Sequence, residues 1–183
     1  MRRSVKIGLT VAACCTLAAI ALAVVALVVV MGPPPRLPRV ASDALDNAEQ
    51  YEVLSIAPRL PEPDSSGPFR GLSVTGRASD APDVLRGYRV LGRTSVTDPV
   101  VRRRLNEALR DGVRRGPGAL CFKPRHGIRV TSSGTRTDLL ICFECARSHV
   151  WSGEQHDAWT TDGSPQPVFD EVLRSAGVLS AKD

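Results

Sequence analysis

The chain has 183 residues, enough for a membrane anchor and one domain of ordinary size, and it contains no internal repeat of roughly 20 to 50 residues. Its formal net charge is +5, but Arg2, Arg3 and Lys6 precede the first apolar run, which leaves 21 basic against 19 acidic residues and a net of +2 beyond it. Nucleic-acid binding needs a clustered excess of Lys and Arg, so we expect no nucleic-acid partner.

Residues 7–31 form a continuous apolar run without a charged side chain. A helix of this length, rising about 1.5 Å per residue, exceeds the roughly 30 Å hydrocarbon core of a bilayer. The flanking Arg2, Arg3 and Lys6 favour a cytoplasmic N-terminus, which places Gly32 and everything after it on the far side. The sequence therefore predicts a single-pass anchor, with the membrane as a partner, and a domain outside the cytoplasm.

Three processing events compete with this retained anchor. A secretory signal peptide ends in small residues, whereas this run ends in VVVMGPPP, where proline disfavours cleavage. Residues 11–14, VAAC, have the form of a lipoprotein cleavage site at Cys14, although the apolar run continues well beyond that cysteine. The Arg2–Arg3 pair also fits twin-arginine export, but it is more simply the positive flank of an anchor.

A proline-rich spacer and a short helix, capped by Ser42 or Asp43, are predicted for residues 32–50. The domain itself is expected to span residues 51–183. Its first strand is predicted at 51–57, where the pattern YEVLSIA alternates, and a second at 87–96, with a weaker candidate at 71–76.

The strongest helix signal begins at Asp98, a favourable N-cap followed by Pro99 at the first helical position. This helix is predicted to run to about Arg115. One face carries apolar or small residues at helical spacing, namely Val101, Leu105, Ala108, Leu109 and Gly112. We expect that face to be buried and the arginines elsewhere on the helix, Arg103, Arg104, Arg110, Arg114 and Arg115, to form a solvated surface.

The C-terminal third of the chain reads as a meander followed by a helix. Strands are predicted at 119–122, 128–132, 137–146 and 148–152, with a tight turn at Ser133–Gly134 and a last helix at 166–176. The run DLLICFEC is apolar on both faces, which favours a central strand covered by a helix. The prediction is an α+β fold, a small antiparallel-sheet domain with two packed helices.

Four potential metal ligands lie close together in the sequence: Cys121, His126, Cys142 and Cys145. A C-x4-H motif followed by C-x2-C supplies enough ligands for tetrahedral zinc. However, residues three apart on an uninterrupted strand point to opposite faces of the sheet, so a bulge between the last two cysteines is required before both reach one ion.

Two other interpretations of these cysteines remain open. Cys121 can form a structural disulfide with Cys142 or Cys145, which an oxidising compartment would permit. The C-x2-C spacing also occurs in thiol redox proteins, where a helix N-terminus lowers the thiol pKa, but here the motif falls in a predicted strand. If strand order follows chain order, the strand of Cys121 and that of Cys142 are separated by a third, too far for a disulfide.

The remaining polar and aromatic candidates have simpler explanations. His126 is expected in a solvated turn at the start of a strand, and Glu144 is expected to pair with a neighbouring arginine. His149 and His156 lie near the two tryptophans, which are expected to cover the core. We identify no catalytic residue in the sequence, and no cofactor other than the alternative of zinc.

A family resemblance is carried by four segments of the sequence: GYRVLGRTSV, CFKPRHGIRV, DLLICFEC and SPQPVFDEVLRSAGV. In these segments the chain resembles uncharacterised bacterial envelope proteins of planctomycete-like genomes. The resemblance covers roughly the last hundred residues. It implies a bacterial inner-membrane or lipoprotein-like setting but no established activity, cofactor or catalytic residue.

The function expected from the sequence is that of a membrane-anchored, extracytoplasmic binding or structural module without enzymatic activity, acting on an unknown envelope protein or ligand. One alternative is a zinc-binding domain that uses Cys121, His126, Cys142 and Cys145. The other is a thiol redox protein or thiol enzyme built on the same cysteines.

Overall fold

The fold is an antiparallel sheet with helices packed on one face, seen in a computed structural model that describes residues 34–57 and 84–179. The helices are α1 (Arg39–Asp46), α2 (Pro99–Asp111) and α3 (Gln166–Ser175). The strands are β1 (Gln50–Ile56), β2 (Val84–Leu85), β3 (Tyr88–Ser95), β4 (Val113–Arg114), β5 (His126–Ser132), β6 (Thr135–Cys142), β7 (Arg147–Ser152) and β8 (Gln155–Thr161).

All eight strands join one sheet in the order β2-β3-β1-β5-β6-β7-β8-β4, and every pairing is antiparallel. The predicted α+β class is therefore confirmed. Strand β6 lies between β5 and β7, as its apolar sequence indicates for a central strand. Strand β6 forms one hairpin with β5 and another with β7. Ser133 and Gly134, both with positive φ, form the turn between β5 and β6.

The helix after Asp98 begins as predicted. The Asp98 carboxylate accepts a hydrogen bond of 2.8 Å from the amide of Val100, and Pro99 occupies the first turn. The helix ends at Asp111, four residues before the predicted end, because the chain turns at Gly112 and enters β4. Leu105 and Leu109 are fully buried, which confirms the predicted apolar face.

The helices cover one face of the sheet and form the main core. Buried residues of β1, β5, β6, β7 and β8 meet apolar side chains of all three helices there, including Ala41, Leu45, Leu105, Phe169 and Leu173. Helix α1 thus belongs to the core and lies in one compact unit with the rest of the domain, which starts at Arg36. It begins after Pro38, so Ser42 and Asp43 lie inside the helix and do not cap it.

A second, smaller cluster lies on the other face of the sheet. Its buried members are Leu54, Ile56, Leu85, Val90 and Leu140, and the partly buried Tyr88, Phe122 and Trp151 pack against them. Gly127 makes this packing possible: a Cβ there would lie 2.6 Å from Ile56 Cδ1 and 2.7 Å from Leu85 Cδ2. Glycine at this position lets the side chains close over the sheet.

Two strand predictions are wrong. Residues 119–122 form no strand, since the chain there runs along the turn that follows β6. The strand predicted for 137–146 ends at Cys142, and the next four residues form a turn. Strand β8 was not predicted, because its polar sequence QHDAWTT shows little apolar alternation.

The predicted anchor at residues 7–31 and the weak strand candidate at 71–76 lie outside the described residues. Within the part of the chain that the structure describes, no helix has the length and apolar character to cross a membrane.

Candidate functional site

Three sulfur atoms meet where β6 ends. Cys142 and Cys145 are joined by a disulfide, with their Cα atoms 5.2 Å apart, well within the range for such a bond. The free thiol of Cys121 lies beside this bond, with its Sγ 3.4 Å from Cys145 Sγ. Cys142 and Cys145 are buried, whereas Cys121 is exposed. The bridge from Cys121 to Cys142 or Cys145, which the sequence left open, is not formed, because those two cysteines are bonded to each other.

The turn between β6 and β7 brings Cys142 and Cys145 together. The amide of Cys145 donates a 3.2 Å hydrogen bond to Cys142 Sγ, and the amide of Ala146 donates to the carbonyl oxygen of Phe143. Ala146 then adopts a left-handed conformation with φ of 51°, which redirects the chain into β7. The sequence required an interruption of the strand between these two cysteines before both could face one ion, and the structure supplies it as a turn rather than a bulge, because β6 ends at Cys142.

A strap of residues 118–121 places Cys121 against this turn. The amide of Ala119 donates a 2.8 Å hydrogen bond to the carbonyl oxygen of Cys145. At Gly118 the contact is closer still, since a Cβ would lie 2.6 Å from the carbonyl oxygen of Ala146. Phe122, next along the chain, packs edge-on against His149 with ring centroids 4.6 Å apart. Both ends of the strap are thus anchored, and Cys121 is held between them.

We call the three sulfur atoms of Cys121, Cys142 and Cys145 the sulfur cluster. His126 lies close to this cluster but contacts a different residue. It is buried, not solvated as the sequence suggested, and its Nε2 lies 2.8 Å from Asp170 Oδ1 on α3. Burial lowers the pKa of His126, with Arg125 acting in the same direction and the hydrogen bond to Asp170 opposing it. A cavity of about 10 Å³, roughly the space of one water molecule, is lined by both His126 and Cys142.

The sequence-predicted zinc ligands are only partly assembled. The three cysteines are together, but two of them share a disulfide and His126 is committed to Asp170. Among the described residues, no group of three or more His, Cys, Asp or Glu side chains is arranged to hold a metal ion. Glu144 is exposed and forms a 3.5 Å ion pair with Arg125, which confirms its expected role.

The opposite face of the sheet carries a second group of polar and aromatic side chains whose proximity the sequence did not predict. His149 Nδ1 lies 3.0 Å from His156 Nε2, and both rings lie nearly parallel to the indole of Trp151. Trp151 therefore packs against these imidazoles, while Trp159 covers the main core as predicted. The pairing of β7 with the unpredicted β8 creates this group, and the only signal along the chain is the alternate spacing of His149 and Trp151.

A buried carboxylate lies in the same row of side chains. Asp138 pairs across the strands with Arg129 on one side and Trp151 on the other, and its side chain is 1% exposed. Its two oxygens receive charge-assisted hydrogen bonds of 3.2 Å from Arg86 and 2.9 Å from Arg129. Arg86 also lies over the Trp151 ring, 5.5 Å from its centroid. This network fixes β2 against the sheet next to the histidine pair.

The arginines of α2 form a solvated surface, as predicted, and several are neutralised by neighbouring elements. Arg104 pairs with Glu171 on α3 at 2.6 Å, and Arg110 pairs with Asp46 of α1 at the same distance. These two exposed ion pairs neutralise Arg104 and Arg110, and each contributes little to stability because water screens it.

Neither known protein families, nor curated proteins, nor solved structures include a match to this chain. The assignment of function therefore depends on the geometry of the sulfur cluster and its surroundings.

Proposed function

We propose that the domain performs thiol–disulfide exchange through Cys121, Cys142 and Cys145, and that residues 7–31 hold it at the outer side of a bacterial inner membrane. The observation that carries the proposal is the 3.4 Å contact between the exposed Cys121 thiol and the Cys145 sulfur of a disulfide. Exchange proceeds by attack of a thiolate on a disulfide sulfur, which requires such a contact.

The first step is internal. Cys121 loses its proton to water, and its thiolate attacks Cys145 Sγ. A bond forms between Cys121 and Cys145 as the Cys142–Cys145 bond breaks, and Cys142 leaves as a thiolate that takes up a proton. The amide of Cys145, which donates to Cys142 Sγ at 3.2 Å, is placed to stabilise that leaving thiolate. No electrons are gained or lost, and the disulfide moves from a buried to an exposed sulfur.

The second step involves a partner with two thiols. A partner thiolate attacks Cys121, forms a mixed disulfide and releases Cys145 as a thiolate. The partner's second thiol then attacks its own sulfur in that mixed disulfide and releases Cys121. The partner is oxidised to a disulfide, and the three cysteines of the domain end as thiols, so two electrons pass from partner to domain. Leu120, which is 97% exposed beside Cys121, offers an apolar contact for a partner chain.

The experiment uses the full chain in detergent with Cys14 and Cys15 replaced by serine. In this background Cys142→Ser leaves Cys121 and Cys145, and we expect a glutathione redox buffer to join them in a disulfide, detected by peptide mass spectrometry. With Cys142 intact, a labelled peptide containing one cysteine should form a mixed disulfide at Cys121, and Cys121→Ser should abolish the label. The proposal fails if Cys121 stays reduced in the Cys142→Ser protein or if labelling does not depend on it.

Zinc binding is a second candidate, favoured by one observation. The Cys142–Cys145 turn combines an amide-to-sulfur hydrogen bond with a left-handed residue after the second cysteine, a shape that directs both sulfurs to one side. Reduction of the disulfide would give three neighbouring thiolates, the soft ligands that zinc prefers, with His126 near as a fourth. If the reduced protein retains one zinc ion through dialysis and loses it in Cys121→Ser and His126→Gln variants, the metal assignment replaces thiol exchange.

A further inference from the structure

Two imidazoles meet on the sheet face opposite the helices. His149 of β7 and His156 of β8 are diagonal neighbours, because His149 pairs with Ala158 while Trp151 pairs with His156. The nitrogen separation of 3.0 Å is a hydrogen-bond distance, and the two ring planes are within 1° of parallel. Trp151 lies next to both rings, with centroids 5.5 Å and 4.8 Å away. The strand pairing and the indole therefore restrict the orientation of both histidines.

His149, the less exposed member of this pair, is kept uncharged by its surroundings. Burial above all, and then the nearby His156 and Arg147, lower the pKa of His149 to about 4. In a neutral pair one nitrogen donates the shared hydrogen and the other accepts it. A shift of tautomer moves the donor's proton to the far nitrogen of the same ring. Both facing nitrogens then present lone pairs without the loss of a proton from the protein.

We propose that His149 and His156 form a binding site for a divalent late first-row transition ion, of the nickel, copper or zinc class. Imidazole nitrogen is a preferred ligand of these ions. Two nitrogens about 2.0 Å from an ion and at right angles to each other lie roughly 2.9 Å apart, which matches the observed separation. Each ring must turn away from the hydrogen-bond axis, by roughly 45° for two ligands at right angles, before both lone pairs point to one ion. His156 is exposed, so water completes the coordination.

The class of ion follows from the charges around the pair. Arg147 lies two residues before His149 on the same face of β7, and its positive charge opposes any cation at the pair, whereas Arg86 is paired with Asp138. Hard ions such as magnesium and calcium depend on carboxylate oxygens, which this pair does not supply. Binding must therefore come from covalent donation by the two nitrogens, and this selects late transition ions. The site is independent of the sulfur cluster and of the proposed exchange reaction.

The probe is nickel(II), which does not oxidise thiols. The protein is the full chain in detergent with Cys14, Cys15 and Cys121 replaced by serine, so that the only sulfurs left in cysteine are those of the disulfide. We expect isothermal titration calorimetry to give one nickel per chain, and nickel to quench the fluorescence of Trp151. His149→Gln and His156→Gln should each lower the affinity about tenfold or more, which corresponds to about 1.4 kcal/mol. Magnesium should not compete.

Asp157→Asn is the matched control, because it removes an exposed carboxylate next to His156 that alternation places on the other side of β8. Its affinity for nickel should equal that of the parent. Trp151→Phe should keep the calorimetric signal and lose the quenching. The proposal is overturned if the parent does not bind nickel at millimolar concentration, if either histidine variant binds as tightly as the parent, or if Asp157→Asn loses the site.

Discussion

The Sγ atoms of Cys121 and Cys145 lie 3.4 Å apart because the amide of Ala119 is hydrogen-bonded to the carbonyl oxygen of Cys145. This one backbone hydrogen bond fixes the strap along the turn that holds the disulfide. The approach is also close at Gly118, where any side chain would meet backbone atoms of the turn. The position of the Cys121 thiol thus depends on Gly118, a residue without a side chain.

Replacing Gly118 with alanine should separate the strap from the turn. The added Cβ would lie 2.6 Å from the carbonyl oxygen of Ala146 and 3.0 Å from that of Cys145, and backbone atoms cannot yield as a side chain does. We expect a loss of about 1 to 3 kcal/mol in stability and a slower formation of the Cys121–Cys145 disulfide in the Cys142→Ser background. Thiol alkylation followed by peptide mapping measures the rate.

Gly163→Ala is the control for this prediction, because nothing lies within 4 Å of a Cβ at Gly163. It should leave the rate of disulfide formation unchanged. Equal rates in Gly118→Ala and the parent would mean that the strap does not position Cys121.

Asp138→Asn tests the buried network of Asp138, Arg86 and Arg129 on the sheet face opposite the helices. Its carboxylate is 1% exposed and holds Arg86 and Arg129, whose side chains are 7% and 12% exposed. The substitution leaves buried guanidinium groups without their counter-charge, which typically costs about 3 to 5 kcal/mol. Urea unfolding of the full chain in detergent measures the change in the free energy of unfolding.

The exposed carboxylate of Asp46 provides the comparison. It pairs with Arg110 at 2.6 Å, but the two side chains are 50% and 37% exposed, so water and salt screen the pair. Asp46→Asn should cost under about 1 kcal/mol. Similar costs at Asp46 and Asp138 would show that burial does not determine the contribution of these pairs.

Local sequence signals predicted those elements that depend on local interactions. The cap at Asp98 with Pro99, the alternation in β1 and the signals around α3 each describe physical preferences of a few adjacent residues. The α+β class followed from these elements. Strand β8 was missed because it is stabilised by pairing with β7 and β4, while its own residues are mostly polar and exposed.

The site was predicted in its members but not in its geometry. Cysteine spacing identified Cys121, Cys142 and Cys145, yet the end of β6 at Cys142 depends on a left-handed alanine, a residue type that rarely adopts this conformation. Sequence alone gave no reason to stop the strand there. The His149–His156 contact requires the register of β7 with β8, so it could not be derived before β8 was known.

The pH dependence of stability should report on His149. Its pKa is lowered from 6.5 to about 4 in the folded protein by burial, by His156 and by Arg147. Between these two values the unfolded chain binds more protons at this position than the folded one, so stability falls as the pH falls from about 6.5 to about 4. His149→Gln removes this contribution, and its free energy of unfolding should fall less steeply over the same range.

His126 contributes in the same direction, since burial also lowers its pKa, and it remains in both proteins. The comparison of slopes therefore isolates His149. Parallel curves for the parent and His149→Gln would show that this imidazole is protonated equally in the folded and unfolded states.

The membrane topology is tested with a reporter fused after Gly32. Because Arg2, Arg3 and Lys6 favour a cytoplasmic N-terminus, a periplasmic phosphatase reporter should be active and a cytoplasmic one inactive. Reversing the flank, with acidic residues at these three positions and added lysines after Gly32, should reverse the reporter pattern. A mature N-terminus at Cys14 would instead establish a lipoprotein.

Leu105 and Arg103 provide a test of the helix face in α2, since they lie two positions apart on opposite sides of the same helix. Leu105 is fully buried in the main core, whereas Arg103 is exposed. Leu105→Ala should lower the free energy of unfolding by about 2 to 5 kcal/mol, because the cavity it leaves loses both hydrophobic burial and packing contacts. Arg103→Ala should cost under about 0.5 kcal/mol, because an exposed arginine and alanine both suit a helix. Chemical unfolding followed by far-ultraviolet circular dichroism measures both variants under one condition. Since both changes leave alanine, helix propensity does not explain a difference, and equal losses would contradict the buried face that packs α2 on the sheet.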